Sequence, residues 1–98
     1  MILVNGETVF LSFAIFDQRE GPRGWVTESV VVDAENRIVR NVEGGHVRVL
    51  DPFSIETPHE TAADAWMRVA AVFAEGAEKL TAKADECSRL AGKTEVAV

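Results

Sequence analysis

The chain has 98 residues, of which 47% are hydrophobic and 27% are charged, and its formal net charge is −6. This length suits a single domain, residues 1–98, and the composition is typical of a soluble globular protein. The acidic balance argues against a general binder of nucleic-acid phosphates, because such proteins concentrate lysine and arginine. No apolar run is long enough to cross a bilayer, and the first residues lack the pattern of a secretory signal, so a cytoplasmic location is expected.

The first half of the chain, residues 2–56, predicts an antiparallel meander of four or five strands. Asn5-Gly6 favours a tight turn, and the runs that follow alternate apolar and polar residues or are apolar on both faces. Because the connections are short, consecutive strands should be neighbours in the sheet. A longer polar loop is expected from Asp17 to Gly24. The predicted strands are residues 2–4, 8–16, 25–33, 37–42 and 46–50.

Residues 57–92 predict one long helix, which leaves 93–98 as a tail or a short extra strand. Thr57-Pro58-His59-Glu60 has the pattern of a capping box, in which Thr57 and Glu60 bond to each other's backbone N–H groups and proline takes the first helical position. From there to Gly92 the chain lacks proline and is rich in good helix formers. The predicted fold class is therefore α+β, an antiparallel four- or five-stranded meander sheet followed by one long C-terminal helix packed on it.

A seven-residue repeat runs along the predicted helix, with alanine at the first position and mostly large apolar residues three positions later. Such a helix reaches roughly 50 Å, whereas strands of six to nine residues span only about 20–30 Å. The part beyond Gly76 should therefore project and pair with the same helix of a second copy, most simply as a homodimer. Gly76 leaves a second interpretation open, a break that folds the remainder back. The predicted interface residues are Ala77, Leu80, Ala84, Cys87, Leu90 and Ala91.

No pattern in the sequence nominates a catalytic or metal-binding residue, and no cofactor is expected. A zinc-binding helix that begins at His59-Glu60 would need a second histidine at the position of Ala63. His46 is expected at an exposed strand end. Cys87 lies on the apolar stripe, which favours packing over a reactive thiol.

The predicted loop between the first two long strands is the best candidate binding element, because rigid scaffolds commonly carry function on such loops. The alternative interpretation, which the sequence favours somewhat, is a solvated turn without a binding role. Its residues are Arg19, Glu20, Arg23 and Trp25. Asp51, which precedes Pro52, predicts a turn rather than a lone functional acid.

Together these patterns predict a small acidic non-enzymatic protein-interaction module that self-associates through its helix, as an adaptor or inhibitor of a larger protein would. The alternative is a small-ligand-binding protein or minor enzyme with an apolar pocket between sheet and helix, lined by Phe10, Phe13, Trp66 and Phe73. A third hypothesis, nucleic-acid binding through Trp25 and the loop arginines, is disfavoured because basic residues are few.

Overall fold

The computed structural model describes residues 1–17, 19–50 and 56–96. Five strands form one antiparallel sheet in the order β4-β3-β2-β1-β5, and one long helix follows them. The predicted α+β fold, an antiparallel sheet with a long C-terminal helix packed on it, is therefore confirmed. The elements are β1 (Thr8–Asp17), β2 (Gly21–Asp33), β3 (Ile38–Asn41), β4 (Val47–Val49), β5 (Thr57–His59) and α1 (Ala62–Val96).

The N-terminal residues differ in part from the prediction. The turn at Asn5-Gly6 is present, because Gly6 has a φ of 84° and the Glu7 N–H donates to the Val4 carbonyl over 3.1 Å. Residues 2–4, however, form no strand. The predicted turn at Asp51-Pro52 lies outside the described residues.

β1 and β2 form a long hairpin that is closed by a tight turn rather than by the longer loop that the sequence predicts. Asp17 Oδ1 accepts the backbone N–H groups of Arg19 and Glu20 over 2.7 and 3.1 Å, and Gly21 takes a φ of 82°. These two hydrogen bonds also hold the pKa of Asp17 below its usual value. Because the turn is short, β2 begins at Gly21, and the second half of the predicted loop is strand.

The two faces of the sheet bury different parts of the molecule. Odd-numbered β1 residues such as Val9 and Leu11 point to one face, where they pack with buried residues of the later strands. Even-numbered residues such as Ala14 and Phe16 point to the other face, on which α1 lies. We call these the core face and the helix face. The cluster on the core face is Val9, Leu11, Val31, Val39 and Leu50, with Leu3 and Ala34 packed against it.

Two glycines set the distance between α1 and the helix face. A Cβ atom at Gly24 would lie 2.6 Å from Val69 Cγ1 and 3.0 Å from Phe73 Cζ, so only glycine lets the helix approach β2 this closely. A Cβ atom at Gly76 would overlap the ring of Phe16, which packs edge to face with Phe73 at a centroid distance of 5.7 Å. Gly76 therefore serves as a contact point and not as a break.

The helix begins later than predicted, and the predicted capping box is wrong. Residues Thr57–His59 form β5, which pairs with Phe10–Ser12 of β1. These residues therefore add a strand to the edge of the sheet and do not form the first turn of the helix. Pro58 is tolerated there because β5 is an edge strand. The capping residue is Thr61, whose Oγ1 accepts the Asp64 N–H over 3.1 Å.

The far end of α1 also differs from the predicted boundary. The helix continues without a break through Gly76 and past Gly92 to Val96. Residues 93–96 of the predicted tail thus extend the helix by about one turn, and residues 97–98 lie outside the described residues. The described part of the molecule measures 67 × 22 × 21 Å. The rod-like outline follows from the geometric mismatch between a 35-residue helix and the sheet beneath its first half.

Candidate interaction site

The first half of α1 rests on the sheet through one narrow stripe. Ala65 and Val69 are buried, and the next residues on the same side are half-buried. Their spacing of three and four residues places them along one side of a helix with 3.6 residues per turn. The stripe ends at Gly76, where the ring of Phe16 lies against the helix. Its members are Ala65, Val69, Val72, Phe73 and Gly76.

The seven-residue repeat occupies a different side of the helix from this stripe. Ala63 and Ala70 are exposed, and the side chain of Trp66 is 52% exposed although it directly follows the buried Ala65. Phe73 is the one residue shared by the seven-residue repeat and the sheet-contact stripe, and its side chain is half-buried against Phe16. The repeat therefore forms an apolar flank beside the sheet contact. We use the name heptad flank for the exposed residues Ala63, Trp66 and Ala70 together with six residues beyond Gly76, which are Ala77, Leu80, Ala84, Cys87, Leu90 and Ala91.

Beyond Gly76 the heptad flank contains the residues that the sequence predicts as an interface. Leu80 is 63% exposed and Leu90 is 55% exposed, and the free thiol of Cys87 is exposed as well. Leu80 and Cys87 follow Phe73 at intervals of seven residues, so they continue the same side of the helix. The first position of each repeat is also exposed, and it is occupied by Ala77, Ala84 and Ala91. The structure thus places all six predicted residues along the projecting half of α1.

The predicted binding-loop residues fall in two places. Arg19 and Glu20 lie in the hairpin turn, whereas Arg23 and Trp25 belong to β2. Arg23 forms an ion pair with Glu20 at 3.5 Å and lies 5.8 Å from the centroid of the Trp25 ring. Trp25 stacks on Phe13 with a centroid distance of 4.0 Å and keeps 40% of its surface exposed. Because Glu20 offsets the charge of Arg23, this end of the hairpin is an aromatic surface more than a basic one.

The two histidines have different environments. His46 is exposed in the β3–β4 connection, as predicted. His59 lies in β5, and its Nε2 is 2.9 Å from the hydroxyl of the buried Ser12. Burial lowers the pKa of His59 and Arg68 adds to this, although Asp64 acts in the opposite direction. Among residues 1–17, 19–50 and 56–96, no three acidic, histidine or cysteine side chains converge as a metal site.

A polar cluster on the core face was missed by sequence reasoning. Arg48 pairs with Glu56 and donates to Asn41 Oδ1 over 2.8 Å, and the fully buried Ser29 donates to the same oxygen over 3.2 Å. The alternation in the sequence predicts Arg48 on a solvent-facing side, but its register opposite the buried Val39 places it on the core face, with Val47 and Val49 exposed. The sequence also does not show that Glu56 comes back to meet it. This cluster joins β2, β3 and β4 to the chain that enters β5.

The aromatic residues of the predicted ligand pocket do not meet in one cavity. Phe10 and Phe13 are three residues apart on one strand, so they point to opposite faces of the sheet. Trp66 is exposed on the heptad flank, and only Phe73 packs toward the sheet. A cavity of about 300 Å³ lies elsewhere, where β2 passes the β3–β4 connection. Its lining residues are Val26, Thr27, Glu28, Asn41, Val42 and Glu43.

No known protein family, curated protein or solved structure matches this chain. Within the part of the chain that the structure describes, no helix is both long and apolar enough to span a membrane.

Proposed function

We propose that this protein is a small acidic interaction module that self-associates, most simply as a homodimer, through the heptad flank of α1. The observation that carries the proposal is the exposure of Trp66 and Leu80, at 52% and 63%, on a regular seven-residue repeat that the sheet leaves uncovered. A repeat of this kind is the pattern by which two helices pack side chains between each other. Alanine at its first positions lets two helix backbones come close together.

The size of the apolar surface supports an association of moderate strength. Burying a fully exposed leucine side chain contributes about 1.5–3 kcal/mol. Leu80 and Leu90 are 63% and 55% exposed, so from two copies they supply on the order of 4–7 kcal/mol. The loss of translational and rotational freedom costs about 4–15 kcal/mol. Trp66 and the alanines add to the favourable side. The favourable and unfavourable contributions are similar in size, so we expect a dimer that forms only as the protein is concentrated.

The charge of the protein indicates the kind of larger partner that it would bind. A net charge of −6 on a chain of this length favours association with a basic protein surface, through faster encounter and selection against acidic partners. An adaptor or inhibitor that presents its sheet while α1 holds two copies together is the role we propose, and its location is the cytoplasm. No catalytic residue or cofactor is part of this proposal.

The test is the mass in solution, measured by light scattering across concentrations from about 1 to 500 μM, a range wide enough to show whether the mass depends on concentration. The wild-type protein should approach twice the mass of one chain at the upper end. Leu80→Glu should remain a monomer with an unchanged circular dichroism spectrum, because a charge on the apolar flank prevents its burial.

The matched control for this experiment is Ala82→Glu. Ala82 is exposed and lies two residues from Leu80, on a different side of the helix, so the variant adds the same charge to the same turn. It should dimerise like the wild type. A wild-type protein that stays monomeric over the whole range, or a Leu80→Glu variant of unchanged mass, would overturn the proposal.

A further inference from the structure

β2 is longer than the strand beside it, so part of its edge is open. β3 pairs with β2 from Ser29 to Asp33, and the last bond on this side joins the Val42 N–H to the Glu28 carbonyl over 3.0 Å. On the other side, β1 pairs with β2 down to Gly21. Among the described strands, none lies beside β2 from Gly24 to Val26 on the side of β3. This segment, residues 24–26, is the open edge.

Two hydrogen bonds show in which direction the backbone N–H and C=O groups of the open edge point. The Val31 N–H donates to the Glu7 carbonyl over 3.0 Å, so odd-numbered residues of β2 bond toward β1. The Glu28 carbonyl bonds the opposite way, toward Val42, so even-numbered residues point outward. The N–H and C=O groups of Gly24 and Val26 therefore point away from the hairpin. Pro22 occupies the next outward position, where its missing N–H breaks no bond within the sheet.

A groove continues from this edge to the β3–β4 connection. The cavity of about 300 Å³ lies there, and its lining includes the aliphatic residues Val26 and Val42 and the acidic residues Glu28 and Glu43. Both glutamates are exposed. An unpaired row of backbone groups beside such a groove offers main-chain hydrogen bonds for affinity and side-chain pockets for selection.

We propose that the open edge of β2 binds an extended, basic segment of a partner protein as an additional strand. The segment would bond to the outward groups of Gly24 and Val26, set an aliphatic side chain against Val42, and place a lysine or arginine between Glu28 and Glu43. Charge complementarity selects this occupant. A second copy of the chain would bring the same glutamates and another net charge of −6 to the edge.

This inference goes beyond self-association and does not depend on it, because the open edge and the heptad flank are separate surfaces. The probe is a blocked synthetic peptide of about eight residues that alternates valine with lysine, a length that covers the edge and the groove. The first control replaces its lysines with glutamates. The second carries N-methyl groups on alternate residues, which removes the donors needed for strand pairing.

Binding is followed by amide chemical shifts and hydrogen exchange at Gly24 and Val26. The lysine peptide should slow exchange at both amides, and both control peptides should bind at least tenfold more weakly. The double variant Glu28→Lys and Glu43→Lys should lose binding by at least tenfold while its spectrum stays that of a folded sheet. The Leu80→Glu variant should bind like the wild type, which separates this result from the test of the dimer.

Three results would overturn the inference. The lysine peptide could leave both amides unaffected, or the N-methylated peptide could bind equally well, which would exclude strand addition. The two amides could also become protected on concentrating the protein alone, in which case a second copy occupies the edge.

Discussion

The two halves of α1 differ both in composition and in surroundings, because the first is mostly apolar and charged residues are more frequent in the second. From Ala62 to Gly76 the helix buries Ala65 and Val69 against the sheet, whereas from Ala77 onward the described side chains face solvent, apart from a half-buried Glu86. Apolar residues occur in both halves, so the presence of an apolar stripe does not tell which half has a partner within the chain. What differs is the sheet contact, because the β1–β2 hairpin reaches its turn just beyond Phe16 and Pro22 and the described strands lie under the first half of α1. The first half of α1 therefore contributes to the stability of the protomer, and the second half is left exposed for the association that we propose.

The largest expected effect is from a charge in the packed half. Val69→Asp places a carboxylate where 4% of the side chain is exposed, and it should lower the free energy of unfolding by about 3 kcal/mol or more. Urea denaturation measures this. Met67→Asp, at a position 70% exposed, is the control and should change stability by less than about 1 kcal/mol. Equal losses in both variants would contradict the division of the helix.

The next largest effect tests the close contact between α1 and β2. Gly24→Ala should destabilise the protein by about 1–3 kcal/mol, because the added methyl group would lie 2.6 Å from the buried Val69. Gly92→Ala in the projecting half has no atom within 4 Å of the new methyl group and should cause no loss. Thermal unfolding of the two variants compares them directly. A neutral Gly24→Ala would mean that the helix can shift on the sheet.

A smaller effect is expected for the reactivity of Cys87, in the half of α1 beyond Gly76. Cys87 is exposed in one protomer but lies on the proposed dimer surface. Its alkylation by iodoacetamide should slow several-fold as the wild-type protein is concentrated, because burial hinders attack by the thiol. In Leu80→Glu the rate should stay constant with concentration. Equal rates in the two proteins would place Cys87 outside the interface.

The smallest effect concerns His59 in β5, the strand that precedes α1. Its pKa is lower in the folded protein than the ordinary value of 6.5, mainly through burial, so the unfolded chain takes up more protons as the pH falls through that value. Stability should therefore be lower at about pH 5.5 than at about pH 7.5. His59→Gln should remove part of this loss in urea titrations at the two pH values. A variant with the same pH dependence as the wild type would assign the effect to other groups.

Several parts of the fold could be predicted from the sequence because they rest on local patterns. Alternation identified the stretches that form β1 to β4, and the absence of proline after Pro58 identified the helix. The start of that helix could not be predicted, because Thr57–His59 fits a helix cap and an edge strand equally well. Pairing with β1 decided between them, and this contact spans residues far apart in the chain.

The candidate site shows the same division. The seven-residue repeat and the six residues beyond Gly76 could be read from spacing alone. The roles of Gly24 and Gly76 could not, because a glycine needed for close contact looks the same in sequence as one that ends an element. The need for glycine at these two positions comes from the side chains packed against them, and only folding brings those side chains close. They are Val69 and Phe73 at Gly24, and Phe16 at Gly76.

The sequence by itself determined which segments form strands, which segment forms a helix and where apolar residues repeat. These features follow from residue propensity and from periodicity over short stretches of the chain. The tertiary structure decided which side of α1 meets the sheet, where the helix leaves it, and which edge of β2 stays open. Those outcomes depend on the relative lengths of elements that pack together, and such lengths are fixed by contacts across the whole domain.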